Sequence, residues 1–226
     1  MATAVILAGG KSSRMGRDKQ RLLYGGKTFL AGAVERFQTA FDTVWVSVGD
    51  PDKYPEIHAE CIEDLYPGCG PLAGLHAALR ACRDEGVFLV AADMPFSSPA
   101  AAVRMIQLCG ENDVCALTDG QGRIEPLFAY YKKSLADRAE ELLRAGRYKI
   151  IGLCDGAKVR IVTRQELDGL WQDRMLDNIN YPEDYEKLLA EQRLAGRVRA
   201  LPRKGADFFV SLLTGTAREN ILIVYF

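Results

Sequence analysis

The sequence predicts an α/β fold in which a mainly parallel central sheet is covered by helices on both faces. Three observations predict it. Short apolar runs recur at residues 4–8 (AVILA), 44–48 (VWVSV) and 87–92 (VFLVAA). They are apolar almost throughout rather than alternating, as strands buried on both faces must be. Between them lie stretches with apolar residues at steps of three and four, the spacing of one helical face. Strands that alternate with helices in this way build βαβ units.

The elements follow in chain order. Residues 4–8 form the first strand and run straight into Gly9 and Gly10. Residues 29–41 read as a helix and 44–48 as the second strand. Leu72, Leu75, Leu79 and Cys82 lie on one face of the next helix, and 87–92 is the third strand, ending just before Asp93. A helix over 99–108 follows, with further strands at 114–118 and 127–131. Residues 134–145, rich in Leu, Ala, Glu and Arg, favour a helix by intrinsic propensity. The last helix starts at Pro182, with Glu183 and Asp184 at the positive end of its dipole, and runs to 195. Beyond it the pattern breaks. We therefore expect one domain over 1–196 and an extension over 197–226, which finishes on the apolar run ILIVYF. Such a run suits an added strand, a docking segment or self-association.

Composition narrows the function. A chain of 226 residues suits one medium domain. A net charge of −1 argues against a general nucleic-acid binder, which needs a basic surplus for phosphate contacts. The six cysteines include no C-x-x-C pair, and the two histidines fit no metal-binding spacing, so the thiols read as reduced, in a cytosolic setting. The first ten residues have no basic segment before their apolar run, and no apolar run is long enough to span a bilayer. The expectation is a soluble cytoplasmic protein that contacts neither membrane nor nucleic acid.

The stretch ILAGGKSSRMGRDKQRLLYGGKT (residues 6–28) holds GGKS and GGKT, two apparent ends of a phosphate-binding P-loop. That motif needs a glycine five residues before its last one. Those positions hold Val5 and Arg21, so both matches fail. What remains is a double glycine after a buried strand, followed by Lys11, Arg14, Arg17, Lys19 and Arg21 with Asp18 alone opposing them. Glycine lets the backbone approach a ligand closely, and ligands bind at the carboxyl ends of strands in open α/β sheets. Such a concentration of cations suits an anion such as a triphosphate, although a solvated basic loop has the same composition.

LAGGKSSRMGRDK resembles the signature L-A-[GA]-G-x-S-x-R-M-G-x-x-K of the nucleotidyltransferases with a Rossmann-like core. LAGG rather than LAAG is similar to the guanylyl-transferring branch, the molybdenum cofactor guanylyltransferases. Three later stretches agree with it in order: Asp64 followed by GPLAG at 70–74, ADMP at 92–95, and NINYPED at 178–184. The resemblance covers about residues 3–195. It implies a three-layer Rossmann-like fold and transfer of GMP from GTP to the terminal phosphate of molybdopterin, with release of pyrophosphate and with Mg²⁺ as cofactor. By the same resemblance Leu7, Ala8, Gly9, Gly10, Lys19, Asp64, Gly70, Gly74 and Asp93 bind the nucleotide. Arg14, Lys19 and Asp93 are catalytic, Asp93 also holds the metal, and Arg147, Asn178 and Asn180 face the pterin. It further implies passing contacts with molybdenum insertion proteins and with the apo-enzymes that receive the cofactor.

The residues alone leave duller alternatives. Asp93 sits where a helix cap is equally apt, Gly70 and Gly74 where a tight turn precedes a helix, and Asn178 and Asn180 where a helix begins. Arg147 could be an ordinary helix-end arginine. Two departures stand out. Val48-Gly49-Asp50 stands where relatives often carry Asn, and Tyr181 replaces a small hydroxyl residue before Pro182. The same residues also leave cytidylyl transfer to the same pterin, a sugar-phosphate nucleotidyltransferase, or a non-catalytic cofactor carrier as alternatives.

Overall fold

The computed structural model describes residues 2–9, 15–16, 18–119 and 121–200, the last five by backbone alone. Gly10, Lys11, Arg14, Arg17 and the stretch 201–226 with its ILIVYF end lie outside the described residues. The described chain forms two compact units, residues 1–181 and the stretch from 182 onward. The second contains one helix beginning at Pro182, with Glu183 and Asp184 in its first turn.

The first unit is built on a seven-stranded sheet. In chain order its strands are β1 (Thr3–Leu7), β4 (Val44–Val48), β5 (Glu60–Glu63), β6 (Gly86–Ala91), β7 (Val114–Thr118), β8 (Ile124–Lys132) and β9 (Val159–Ile161). A separate two-stranded hairpin, β2 (Leu23–Tyr24) and β3 (Lys27–Thr28), precedes the first helix. The spatial order is β5-β4-β1-β6-β8-β7-β9. Every neighbouring pair is parallel except those made by β8, which runs antiparallel to both β6 and β7.

Four helices complete the unit: α1 (Phe29–Gln38), α2 (Pro71–Ala81), α3 (Pro99–Cys109) and α4 (Ala136–Arg144). Their starts are set locally. The Thr28 hydroxyl accepts the Ala31 N–H, and the Ser98 hydroxyl accepts the Ala101 N–H ahead of Pro99. Pro71 opens α2 after Gly70, whose φ of +72° is a conformation that only glycine adopts without strain.

Continuous apolar strands are explained by two cores. Ala4, Ile6, Val46, Phe88, Val90 and Phe128 turn to one face, against Phe37 of α1 and Met105 of α3. Val5, Leu7, Trp45, Val87, Leu89 and Ala129 turn to the other, against Leu72, Leu75 and Leu79 of α2 and Leu142 of α4. Successive side chains alternate between faces, so a strand sandwiched between helices must be apolar at every position. Each fully buried Leu or Phe side chain contributes roughly 1.5–3 kcal/mol to the folded state. Ser47 is the polar exception in β4, buried on the α2 side.

The expected strands at 44–48 and 114–118 hold residue for residue, and the expected helices hold within a few residues at their ends. The strand expected at 127–131 is longer and is the reversed one.

Candidate active site

The carboxyl ends of β1, β4 and β6 define an edge, and Leu7, Ala8, Gly9, Lys19, Asp64 and Asp93 gather along it. Lys19 opens a short 3-10 turn, Lys19–Arg21. Its ammonium lies 2.6 Å from Asp93 Oδ2 and donates to Asn180 Oδ1 at 2.8 Å. The Lys19 and Asp93 side chains are only 14% and 13% exposed, so the pair is held largely out of water. Three segments remote in sequence thus meet at one ammonium group.

Each is fixed by its surroundings. Asp93 follows β6 by two residues, and the Ala92 N–H donates to Leu7 O at 3.1 Å, extending the parallel pairing to the edge. The Ile179 N–H donates to Asp93 O at 3.0 Å and docks the asparagine segment on this turn. From below, the Arg36 guanidinium donates to Met94 O and Ser97 Oγ at 3.1 and 3.2 Å. Burial lowers the Arg36 pKa to about 10, which still leaves it charged at neutral pH.

Asp18, next to Lys19, is held more firmly than any exposed loop acid needs to be. Its carboxylate accepts from the Gln20 N–H at 3.1 Å and from the Tyr54 hydroxyl at 3.0 and 3.2 Å, and pairs with Lys53 Nζ at 2.8 Å. Burial raises its pKa, but the bonds from Lys53, Tyr54 and the Gln20 N–H outweigh it and leave the carboxyl below its ordinary value. Arg21 donates to Lys53 O at 2.7 Å. The turn carrying Lys19 is therefore clamped on both sides to the loop after β4.

That loop walls a cavity of about 510 Å³, a size that suits a bound nucleotide portion. Leu7, Ala8, Gly9, Asp64, Gly70 and Lys53 are among its lining residues. Asp64 is half-buried and accepts from the Ser47 hydroxyl at 3.3 Å. Burial raises its pKa, opposed by that hydroxyl.

Gly74 does not line the cavity but is required beside it. A Cβ there would stand 2.2 Å from Ser47 Oγ and 2.9 Å from Leu7 Cδ2. The missing side chain is what lets α2 sit close on β1 and β4. Gly70 lines the cavity, and its open side meets Tyr148 O.

Asn178 donates to Leu176 O at 3.3 Å, so the two asparagines find different partners. Arg147 follows α4 and pairs with Asp155 at 3.0 Å; its neighbour Tyr148 places that loop against Gly70 rather than against the asparagines.

Sequence reasoning missed Ser47, Tyr54, Lys53 and Arg36. Only Ser47 carried a signal, as the single polar residue in an otherwise apolar strand.

A second cavity, of about 560 Å³, lies farther along the same edge beside β7 and β9, lined by residues of 117–119, 161–164 and 171–177. No group of three or more His, Cys, Asp or Glu side chains able to hold a metal is present among the described residues. No described helix is long and apolar enough to cross a membrane.

Residues 4–159 match the family of MobA-like NTP transferase domains. The chain is 36% identical over 188 residues to a probable molybdenum cofactor guanylyltransferase of Carboxydothermus hydrogenoformans, covering 83% of this chain and 94% of that protein. It is 35% identical to one of Pelotomaculum thermopropionicum, covering 87% and 97%. Among solved structures, molybdopterin-guanine dinucleotide biosynthesis protein A of Archaeoglobus fulgidus superposes with a TM-score of 0.73 at 26% identity, covering 84% of this chain and 99% of that one.

Proposed function

Because the chain belongs to the family of MobA-like NTP transferase domains, we propose that it is a guanylyltransferase of molybdenum cofactor biosynthesis, moving GMP from GTP to the terminal phosphate of molybdopterin. The observation that carries this reading is the meeting of Lys19, Asp93 and Asn180 beside a cavity that also presents Asp64. Guanine offers two adjacent N–H donors on one edge, and a carboxylate accepts both; cytosine has no such pair. In this reading Asp64 accepts from that edge, with Leu7, Ala8, Gly9 and Gly70, which line the same cavity, framing the ring.

The acceptor phosphate is already anionic, so transfer needs no side-chain nucleophile. Its oxygen bonds to the α-phosphorus, the bond from that phosphorus to the β-phosphate oxygen breaks, and pyrophosphate leaves. The protein supplies position and charge. Lys19 neutralises phosphate oxygens, and its burial makes that charge count for more than it would in water. By the family motif, Arg14 adds its charge to the triphosphate. Asn178 and Asn180 hold the acceptor; Arg147, which the family motif also assigns to it, lies instead in the loop against Gly70.

The oxygens of Asp93 and Asn180 converge on one cationic centre, a donor set that fits a hard divalent ion completed by phosphate and water. Asp93 would hold Mg²⁺, which when bound offsets charge on the phosphates.

Calorimetry with GTP, CTP and ATP in the presence of Mg²⁺, on the wild type and on Asp93→Ala, tests the nucleotide half. GTP-selective binding that weakens at least tenfold in Asp93→Ala is expected. Equal binding of all three nucleotides overturns the guanylyl assignment and moves a carrier role forward.

A further inference from the structure

We propose that the second cavity is the seat of the acceptor's planar ring, held against a flat cationic platform made by Arg164 and Trp171. This deepens the reading above and rests on it: it assigns the pterin to residues that none of the four motifs contains.

Position is the first argument. Asp93 follows β6, and the cavity opens at the ends of β7 and β9 on the same edge, with the start of β8 between. Neighbouring strands stand about 4.8 Å apart, so β7 lies roughly 10 Å from β6. A fused-ring heterocycle carrying its phosphate on a short arm spans that gap. With the phosphate at Lys19 and Asp93, its ring falls among Thr118, Arg164 and Trp171.

The second argument is chemical. The Arg164 guanidinium lies over the Trp171 ring at 4.2 Å from its centroid. The Arg174 guanidinium lies over Phe96 at 4.4 Å, and Phe96 is three residues from Asp93, so this arginine ties the cavity to the catalytic turn. Arg174 Nε also bonds Asp177 at 2.9 Å, beside Asn178. A guanidinium layered on an indole is pre-ordered, flat and positive, and it accepts a second flat ring on its outer face. Both arginines favour an electron-rich heterocycle bearing anionic groups. A sugar phosphate, without a planar face, gains little from such a platform.

The chain has two tryptophans, and the other, Trp45, lies in β4 with its indole N–H donating to Glu60 at 2.7 Å. Pterin-6-carboxylic acid titrated into the full chain, read by tryptophan fluorescence, is expected to quench emission saturably. Trp171→Phe should abolish most of the quenching, and Arg164→Met should weaken binding about tenfold, equivalent to about 1.4 kcal/mol. GTP affinity should be unchanged in both variants. Their KM for molybdopterin should rise with little change in kcat. Pterin affinity and KM equal to wild type in Arg164→Met overturn the pocket while leaving GMP transfer intact. Absence of GMP transfer by the wild type, with GTP bound normally, overturns the underlying reaction instead.

Discussion

Replacing Gly74 by alanine tests how the first cavity is built. The added Cβ would stand 2.2 Å from Ser47 Oγ, 2.9 Å from Leu7 Cδ2 and 3.2 Å from Ser47 Cβ. Ordinary contact requires the hydroxyl to withdraw by roughly 1 Å or more. Ser47 is fully packed between β4 and α2, so it has nowhere to go without turning off Asp64. Overpacking costs about 1–3 kcal/mol, and losing a hydrogen bond to a carboxylate about 1.5 kcal/mol at the weak end suited to a 3.3 Å contact. The sum is about 3 kcal/mol, or a fall of roughly 6–12 °C in Tm for a chain of this size. Leu7 and Asp64 both line the cavity, so GTP binding should also weaken about tenfold, the equivalent of about 1.4 kcal/mol. Thermal melting and calorimetry measure the two effects. The double variant Gly74→Ala, Ser47→Ala removes the 2.2 Å contact and leaves only softer ones, so it should recover part of the lost stability but not the lost GTP affinity. A drop below about 2 °C in the single variant, or no recovery in the double, would refute the reasoning.

The raised pKa of Asp64 makes nucleotide binding depend on pH. On the proposed reading its ionised form accepts the guanine N–H groups, so GTP affinity should fall as pH drops through that raised value, and the extra fall should vanish in Asp64→Asn. The stability sign is opposite: a carboxyl raised on folding contributes most when protonated, and that contribution is lost as pH rises through its folded pKa. Tyr54→Phe removes one of the groups holding Asp18, and with it about 1 kcal/mol of ordering of the Lys19 turn. The expected result is a rise of about fivefold in KM for GTP, with the acceptor KM unmoved; steady-state kinetics in which both stay within error would show that the clamp does not position Lys19.

Much of the fold was legible because burial on two faces leaves a plain mark: VWVSV and VFLVAA can be little else but central strands. β5 was not, because ECIE at the sheet's edge alternates and carries charge, like a loop. β9 is three residues long, VRI, too short for any periodicity. The reversal of β8 left no trace in composition, since an apolar run reads the same in either direction along a sheet. At the site, Lys19 and Asp93 stood out through the motifs that carry them, and the fold brings the two side chains into contact. Tyr54 and Lys53 did not, because their meaning comes from Asp18, 36 residues from Tyr54 and adjacent only after folding. The second cavity was invisible for a related reason: residues 162–177 have no regular spacing, and only their packing beside β7 and β9 makes them a wall.

Among the described residues, the first cavity takes its lining from residues 7–71 and the second from residues 117–177, with none shared. The chain is written, in effect, as two consecutive paragraphs separated by Asp93. On the proposed reading, mutations that retune the choice of nucleotide and mutations that retune the choice of acceptor fall in different stretches of the gene. A recombination joint placed between them, after residue 93 and before residue 117, is then expected to exchange one specificity without rewriting the other.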